Sequence, residues 1–451
     1  MDFSTMNLAD FLEQSIDCEC GRTHFVEIDT VEISAEALKK VYTITKKNGY
    51  KKPFIIADSN TYAIAGKQLL EQFTKQDIPH SFFVFEQKEL APDERAIGSL
   101  LINFDPTCDL IIGVGSGTIN DISRFVSHRL GLQYYIVATA PSMDGYASTV
   151  APLIRNNLKT TFECHMPQAI IADLNILAQA PKEMIAAGFG DVLGKYTCLA
   201  DWKLSAIING EYYCETVVEI TRQSLKRTIE LREGIANGEQ KAIEELMEAL
   251  ILAGIAMSYV GNSRPASGSE HHLSHFWEMR FLFEGKRPIL HGTKVGIATV
   301  LILELYHYLR KANLQPEAIA KTAAPINDDW TAEIEEAFLQ AAPEILRLEE
   351  RVQKNAPEGH QKRIKAIAEN WDQILQVLES VPSSDLAVEL LASVHAPTYP
   401  SEVGIHRELV YEAVMYGKEI RPRYTVLQLL WDIDLLSTFA KKIVKEGSGQ
   451  K

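Results

Sequence analysis

Two scattered groups of side chains in this sequence are suited to bind a metal. In "EHHLSH", His271 and His275 stand four apart and share one face if the segment is helical, with His272 turned aside. "GFGDVLGKY" sets Asp191 and Lys195 at the same spacing, and His291 follows a turn in "ILHGTKVGIATV". One carboxylate and two imidazoles make the ligand set of a catalytic divalent metal that keeps a coordination position open. A single histidine is more often a hydrogen-bonded or solvated side chain, so Asp191, His271 and His291 carry the reading only as a set. In the second group, Cys18, Cys20 and His24 of "CECGRTH" lack an evident fourth ligand and compete poorly as a zinc site.

A third candidate takes an anion. "LIIGVGSGTIND" places Gly113, Gly115 and Gly117 after an apolar run and before a helical pattern. Glycines there let backbone N–H groups approach a pyrophosphate, and the helix N-terminus that follows favours negative charge. The spacing is neither G-x-G-x-x-G nor a P-loop, and a tight strand–helix turn without a ligand would look the same. "ATAPSMDGYAS" is a second small-residue segment after a strand. Asp58 ends the first apolar run of the α/β part, where a carboxylate accepts from ribose hydroxyls and repels a 2′-phosphate. Helix capping within "ADSNT" is the competing reading of Asp58.

These residues need two kinds of scaffold. Through about residue 180, short apolar runs ("KPFIIADSN", "HSFFVFE", "CDLIIGVG", "QYYIVATA", "AIIADLNIL") alternate with helical stretches, the pattern of an open parallel sheet. Beyond Lys182 the spacing turns helical, in "EMIAAGFGDVLGKYTCLADWKLSAI", "KAIEELMEALILAGIAMSYV", "KVGIATVLILELYHYLRKA", "TAEIEEAFLQAAPEILRLEERV" and "IKAIAENWDQILQVLESV". The 451 residues are 46% apolar and carry a net charge of −15, which argues against nucleic acid or anionic membrane as a partner. No run of about 18 apolar residues is present. "MDFSTMNLADFLEQ" is acidic and reads as an amphipathic helix rather than a signal peptide. Six dispersed cysteines suit a reducing, cytoplasmic compartment.

Taken in order, "GVGSGTIND", "TAPSMDGYAS", "GFGDVLGK", "SRPASGSEHHLSH" and "HGTKVGIATV" resemble sn-glycerol-1-phosphate dehydrogenase, in its bacterial AraM-like branch. That family lies within the superfamily of iron-containing alcohol dehydrogenase, glycerol dehydrogenase and dehydroquinate synthase. The resemblance runs from about Phe25 to Thr425, with "SRPASGSEHxxSH" its most specific block. It implies a dehydroquinate synthase-like fold: an α/β nucleotide-binding domain over 1–180 and an all-helical metal- and substrate-binding domain over 181–451. It implies metal ligation by Asp191, His271 and His291. Iron-type relatives carry a fourth ligand, histidine, where Lys195 stands, so zinc or nickel is expected rather than iron. Cofactor contacts carry over to Asp58, Gly115, Ser116, Gly117, Asp121, Thr139, Ser142 and Ser148. Asp144, Lys195 and His275 are the catalytic candidates, and Asp144, Lys159 and Arg264 the substrate-binding ones.

The implied reaction is reversible reduction of dihydroxyacetone phosphate to sn-glycerol-1-phosphate with NAD as cofactor and NADP as the alternative, in a homodimer. For Arg264 the competing reading is a structural ion pair. Whether His275 or water supplies the proton is left open by the sequence. A glycerol dehydrogenase-like polyol oxidoreductase and a dehydroquinate synthase-like lyase are the rival functions.

Overall fold

Largely apolar runs of five or six residues build the centre of the sheet, as expected where both faces are covered. The computed structural model describes residues 8–13, 15–87, 89–156, 158–323 and 328–446. The amphipathic start of the chain is described only from Leu8, where a short helix runs Leu8–Glu13, and residues 1–7 lie outside the described residues. The strands are β1 Ile16–Asp17, β2 Thr23–His24, β3 Thr30–Ser34, β4 Pro53–Asp58, β5 Ser81–Phe85, β6 Leu110–Gly115, β7 Tyr134–Ala138, β8 Val150–Arg155, β9 Leu158–Glu163 and β10 Ala169–Asp173. Six of them form one sheet in the order β3-β10-β7-β6-β4-β5, every pair parallel. β6, β7 and β10 are buried along their whole length.

Sequence spacing passes over β3, because "TVEIS" is a half-buried edge strand with a charge in its middle. Asp58 therefore ends the second strand of this sheet in chain order, not the first. The β8–β9 hairpin is also missed, since "VAPLIR" contains Pro152 and "LKTTFE" is largely polar. From β4 the chain moves outward to β5, and from β6 it moves the opposite way to β7. The carboxyl ends of β4 and β6 thus flank a topological switch point, where ligands of open α/β sheets bind.

By compactness the chain forms two units, Met1–Gly188 with Glu219–Asn262 and Phe189–Val218 with Ser263–Lys451. The first holds the sheet and the apolar helix Gln240–Val260, in which a Cβ on Gly254 would stand 2.7 Å from the Ala147 Cβ. Among the described residues the second unit is helical, and the helices Ser269–Phe283 and His291–Lys311 pack together within it. The pattern "TAEIEEAFLQAAPEILRLEERV" is two helices rather than one, Trp330–Phe338 and Ala342–Val352, with Pro343 in the first turn of the second. A continuous helix would drive the Pro343 ring into the Leu339 carbonyl, and Leu339 instead turns to φ 48°. "IKAIAENWDQILQVLESV" likewise divides, at Asn370. Among the described residues no helix is long and apolar enough to cross a membrane, and no cysteine is in a disulfide.

Candidate functional site

The expected ligand set converges in the second unit. Asp191, near the end of the helix Lys182–Leu193, is fully buried. His271 lies in the first turn of Ser269–Phe283, and His291 is the first residue of His291–Lys311. Asp191 Oδ1 is 3.7 Å from His271 Nε2 and 3.8 Å from His291 Nε2, and the three ligand atoms lie within 4.8 Å of one another. Ligands held about 2.1 Å from one tetrahedral ion stand roughly 3.4 Å apart, so this donor set fits a divalent metal. Burial, and then the His271 and His275 rings, push the His291 pKa well below the usual imidazole range. The neutral form is the one that ligates.

The local sequence places His271 precisely through its neighbour Glu270, a residue sequence reasoning passed over. Glu270 is fully buried and its Oε1 accepts from His271 Nδ1 at 2.7 Å and from the Gly268 N–H at 2.7 Å. Its other oxygen accepts from Thr197 Oγ1 at 2.6 Å. A carboxylate on one ring nitrogen fixes the tautomer and turns the other toward a metal. No periodic spacing signals it, because adjacent helical residues do not ordinarily face each other. Asp201 braces the same helix start, accepting from the Ser269 N–H and hydroxyl, Tyr306 and the Val426 N–H at 2.6–2.8 Å. Burial first, and then the Glu270 charge, raise its pKa to about 6.

His275 shares the ligand face, as the spacing indicates, with ring centroids 6.1 Å from His271 and 5.8 Å from His291. Its Nδ1 meets Glu278 Oε2 at 3.3 Å, and Lys294 Nζ meets Glu278 Oε1 at 3.2 Å. His272 points away into the interior, where neither ring nitrogen finds a hydrogen-bond partner among the described residues. Lys195 is buried and its ammonium donates to the Ala266 carbonyl at 3.1 Å.

Arg264 sits differently from the expected phosphate contact. It is buried, and its Nε donates to Glu211 Oε1 at 2.8 Å, with a second contact to Glu211 Oε2. Its remaining nitrogens reach the Tyr424 carbonyl at 2.8 Å and Ser205 Oγ at 3.2 Å. A buried guanidinium requires a carboxylate partner, and Glu211 supplies it. Arg264 thereby anchors the "SRPASGSEH" segment rather than presenting its fork to a ligand.

In the first unit the nucleotide candidates gather at the carboxyl ends of β4, β6 and β7. Asp58 caps the turn after β4: its Oδ1 accepts from the Asn60 and Thr61 N–H groups at 2.8 and 2.9 Å. The capping reading is thus realised on one oxygen, and Oδ2 takes no protein hydrogen bond among the described residues. A Cβ on Gly113 would come within 2.5 Å of Ser123 Oγ, and one on Gly115 within 2.5 Å of the Ile119 Cβ. Those two glycines let the helix Gly117–Leu130 lie against β6, whereas Gly117 has room for a side chain. The first helical bond runs from the Asn120 N–H to the Ser116 carbonyl, so the preceding N–H groups have no acceptor within the helix, the arrangement that suits an anion.

Thr139, Ser142, Asp144 and Ser148 lie buried on the segment after β7. Two residues absent from the sequence reading hold that segment: Asn120, donating to the Gly145 carbonyl at 3.1 Å, and Arg124. Arg124 is fully buried and donates to the Gly145, Tyr146 and Val150 carbonyls at 2.6–2.9 Å and to Tyr134 Oη at 2.8 Å. Asp121 is not simply available to a nucleotide, since its Oδ1 pairs with Arg124 at 3.1 Å. The signal for Arg124 is a cation inside the apolar face of "INDISRFVSH". Lys159 lies on β9, opposite Ile154.

Comparison with known proteins places the fold and the family. A family model described as iron-containing alcohol dehydrogenase matches residues 32–181. Among solved structures, glycerol dehydrogenase from Schizosaccharomyces pombe superposes with a TM-score of 0.59 at 16% identity, over 98% of this chain and 95% of that one. A 1,3-propanediol oxidoreductase gives 0.60 at 15% identity, over 92% and 98%. The fold is therefore that of the iron-containing alcohol and glycerol dehydrogenases. Nearer in sequence is glycerol-1-phosphate dehydrogenase (NAD(P)+) of Geobacillus stearothermophilus, 36% identical over 418 residues, which span 92% of this chain and 95% of the relative. The Bacillus subtilis (strain 168) protein of the same name is 32% identical over 90% of this chain and 91% of its own length. The chain belongs to the glycerol-1-phosphate dehydrogenase family.

Proposed function

We propose that this protein catalyses the reversible NAD(P)H-dependent reduction of dihydroxyacetone phosphate to sn-glycerol-1-phosphate. The observation that carries the reading is the convergence of Asp191, His271 and His291 in a chain 36% identical to a relative of that name. Zinc or nickel is the proposed metal, because Lys195, with its ammonium on the Ala266 carbonyl, adds no fourth imidazole to the set. A cytoplasmic homodimer belongs to the same proposal.

When bound, the metal supplies Lewis-acid stabilisation of charge on the ketone oxygen, and the nicotinamide supplies the hydride. Asp191, His271 and His291 hold the metal, and Glu270 fixes the His271 ring. His275, steadied by Glu278, is the proposed proton donor to the new alkoxide. Lys159 and Lys195 are the proposed cations for the substrate phosphate, and Asp144 the contact near the reacting carbon. The Ser116–Gly117 helix start takes the pyrophosphate, with Asp121, Thr139, Ser142 and Ser148 lining the nucleotide, and Asp58 Oδ2 takes the ribose hydroxyls.

The test is NADH oxidation by metal-stripped protein resupplied with zinc, nickel or iron, using dihydroxyacetone phosphate and dihydroxyacetone, with product chirality determined. A kcat/KM at least about 100-fold higher for the phosphate ester is expected, since about 2.7 kcal/mol suits a charge-assisted contact. Equal values would point to an uncharged polyol, and no net NADH oxidation to a lyase. Asp58→Ala is expected to shift the NADH-to-NADPH preference toward NADPH by about tenfold, at a stability cost of about 1 kcal/mol from the lost cap. An unchanged cofactor ratio would leave Asp58 with its capping role alone.

A further inference from the structure

We propose a second metal site in the first unit, in which Cys18, Cys20 and His24 hold a zinc-class ion with a structural role. The sequence argues against it for want of a fourth ligand, yet the structure folds these three donors onto one point. Their ligand atoms lie within 4.8 Å of one another, and Cys20 Sγ is 3.4 Å from His24 Nε2. Two thiolates and an imidazole are a soft donor set that selects zinc over hard cations.

The histidine is prepared for ligation. His24 is buried, its ring stacks on Tyr259 at 5.1 Å, and its Nδ1 meets the Tyr259 carbonyl at 3.1 Å. That carbonyl accepts a hydrogen bond from Nδ1–H, fixing the tautomer in which the Nε2 lone pair faces the sulfurs. The turn is equally specific. The Cys18 N–H bonds the Arg22 carbonyl at 3.1 Å, the Gly21 N–H bonds the Cys18 carbonyl at 2.9 Å, and Gly21 adopts φ +82°. Only glycine takes that conformation without strain.

The strands joined by this turn, β1 and β2, have two residues each. A ladder that short is not stable by itself, and a metal cross-link would fix it. Thiolate ligands deprotonate on binding, so each thiol releases its proton to solvent as the Sγ–metal bond forms.

The test uses cobalt as the probe and the full-length protein. Asp191, His271 and His291 contain no sulfur, so a thiolate-to-cobalt charge-transfer band cannot arise from that set, and its loss in Cys20→Ser ties it to the proposed site. Wild type and His291→Ala, both stripped and titrated with Co(II), should show the band with equal amplitude. Cys20→Ser should lose it together with one equivalent of bound zinc, and thermal stability should fall on chelation. Absence of the band from His291→Ala, or its full retention in Cys20→Ser, would overturn the site. The His291→Ala measurement stands even where the cysteine variant does not fold. It is independent of the proposed reaction, which can fail with the band intact.

Discussion

His291→Ala is expected to lower kcat/KM by at least about a thousandfold and to remove the metal from the second unit. A thousandfold loss corresponds to about 4 kcal/mol of transition-state stabilisation, the scale expected when Lewis-acid assistance to a ketone reduction disappears. This variant reports on the site more cleanly than His271→Ala. His271 shares a 2.7 Å hydrogen bond with the fully buried Glu270, so its removal strands a carboxylate in the core. His291 is only partly buried and begins its helix, so alanine there leaves the packing intact. The melting temperature measured without metal should stay within about 2 °C of wild type, the shift of a substitution worth under about 0.5 kcal/mol. Metal content by mass spectrometry, steady-state kinetics and a thermal melt on one preparation are sufficient. A fully metallated, active His291→Ala protein would sink the ligand assignment.

What the sequence reveals and what it hides follow from the range of the forces concerned. The buried strands β4, β6, β7 and β10 are legible because a strand covered on both faces must be apolar throughout. β3 and the β8–β9 hairpin are not, because edge and two-stranded pieces bear polar residues and their pairing is decided by distant partners. Asp191, His271 and His291 are legible as residue types, and His275 as a helical neighbour of His271. Their supports are not. Glu270, Thr197 and Asp201 act through contacts whose members lie up to 225 positions apart, as between Asp201 and the Val426 N–H. Arg264 shows the converse. An arginine in a small polar segment reads as a phosphate contact, and only the fold brings Glu211 and Ser205 onto it. The glycine turn combines both cases: Gly113 and Gly115 serve close packing of helix on strand, which leaves the helix start itself as the proposed anion site.

Arg124→Met is expected to destabilise the first unit by about 3–5 kcal/mol and to raise the KM for NADH at least tenfold. Methionine keeps most of the volume while removing every donor, so the loss is electrostatic rather than a cavity effect. It leaves the Gly145, Tyr146 and Val150 carbonyls without their guanidinium partner and Asp121 without its cation. Breaking one partner of a buried network has this cost because the remaining groups stay desolvated. The melting temperature should fall by on the order of 5–10 °C. The segment from Thr139 to Ser148 is fastened by Arg124 and Asn120, so loosening it should weaken nucleotide binding. Arg124→Lys should recover little, since one ammonium cannot span carbonyls on both sides of a planar fork. The discriminating readout is the split between substrates: the KM for NADH should move by more than the KM for dihydroxyacetone phosphate. A lowered melting temperature with an unchanged KM for NADH would make Arg124 a core strut with no part in shaping the nucleotide segment.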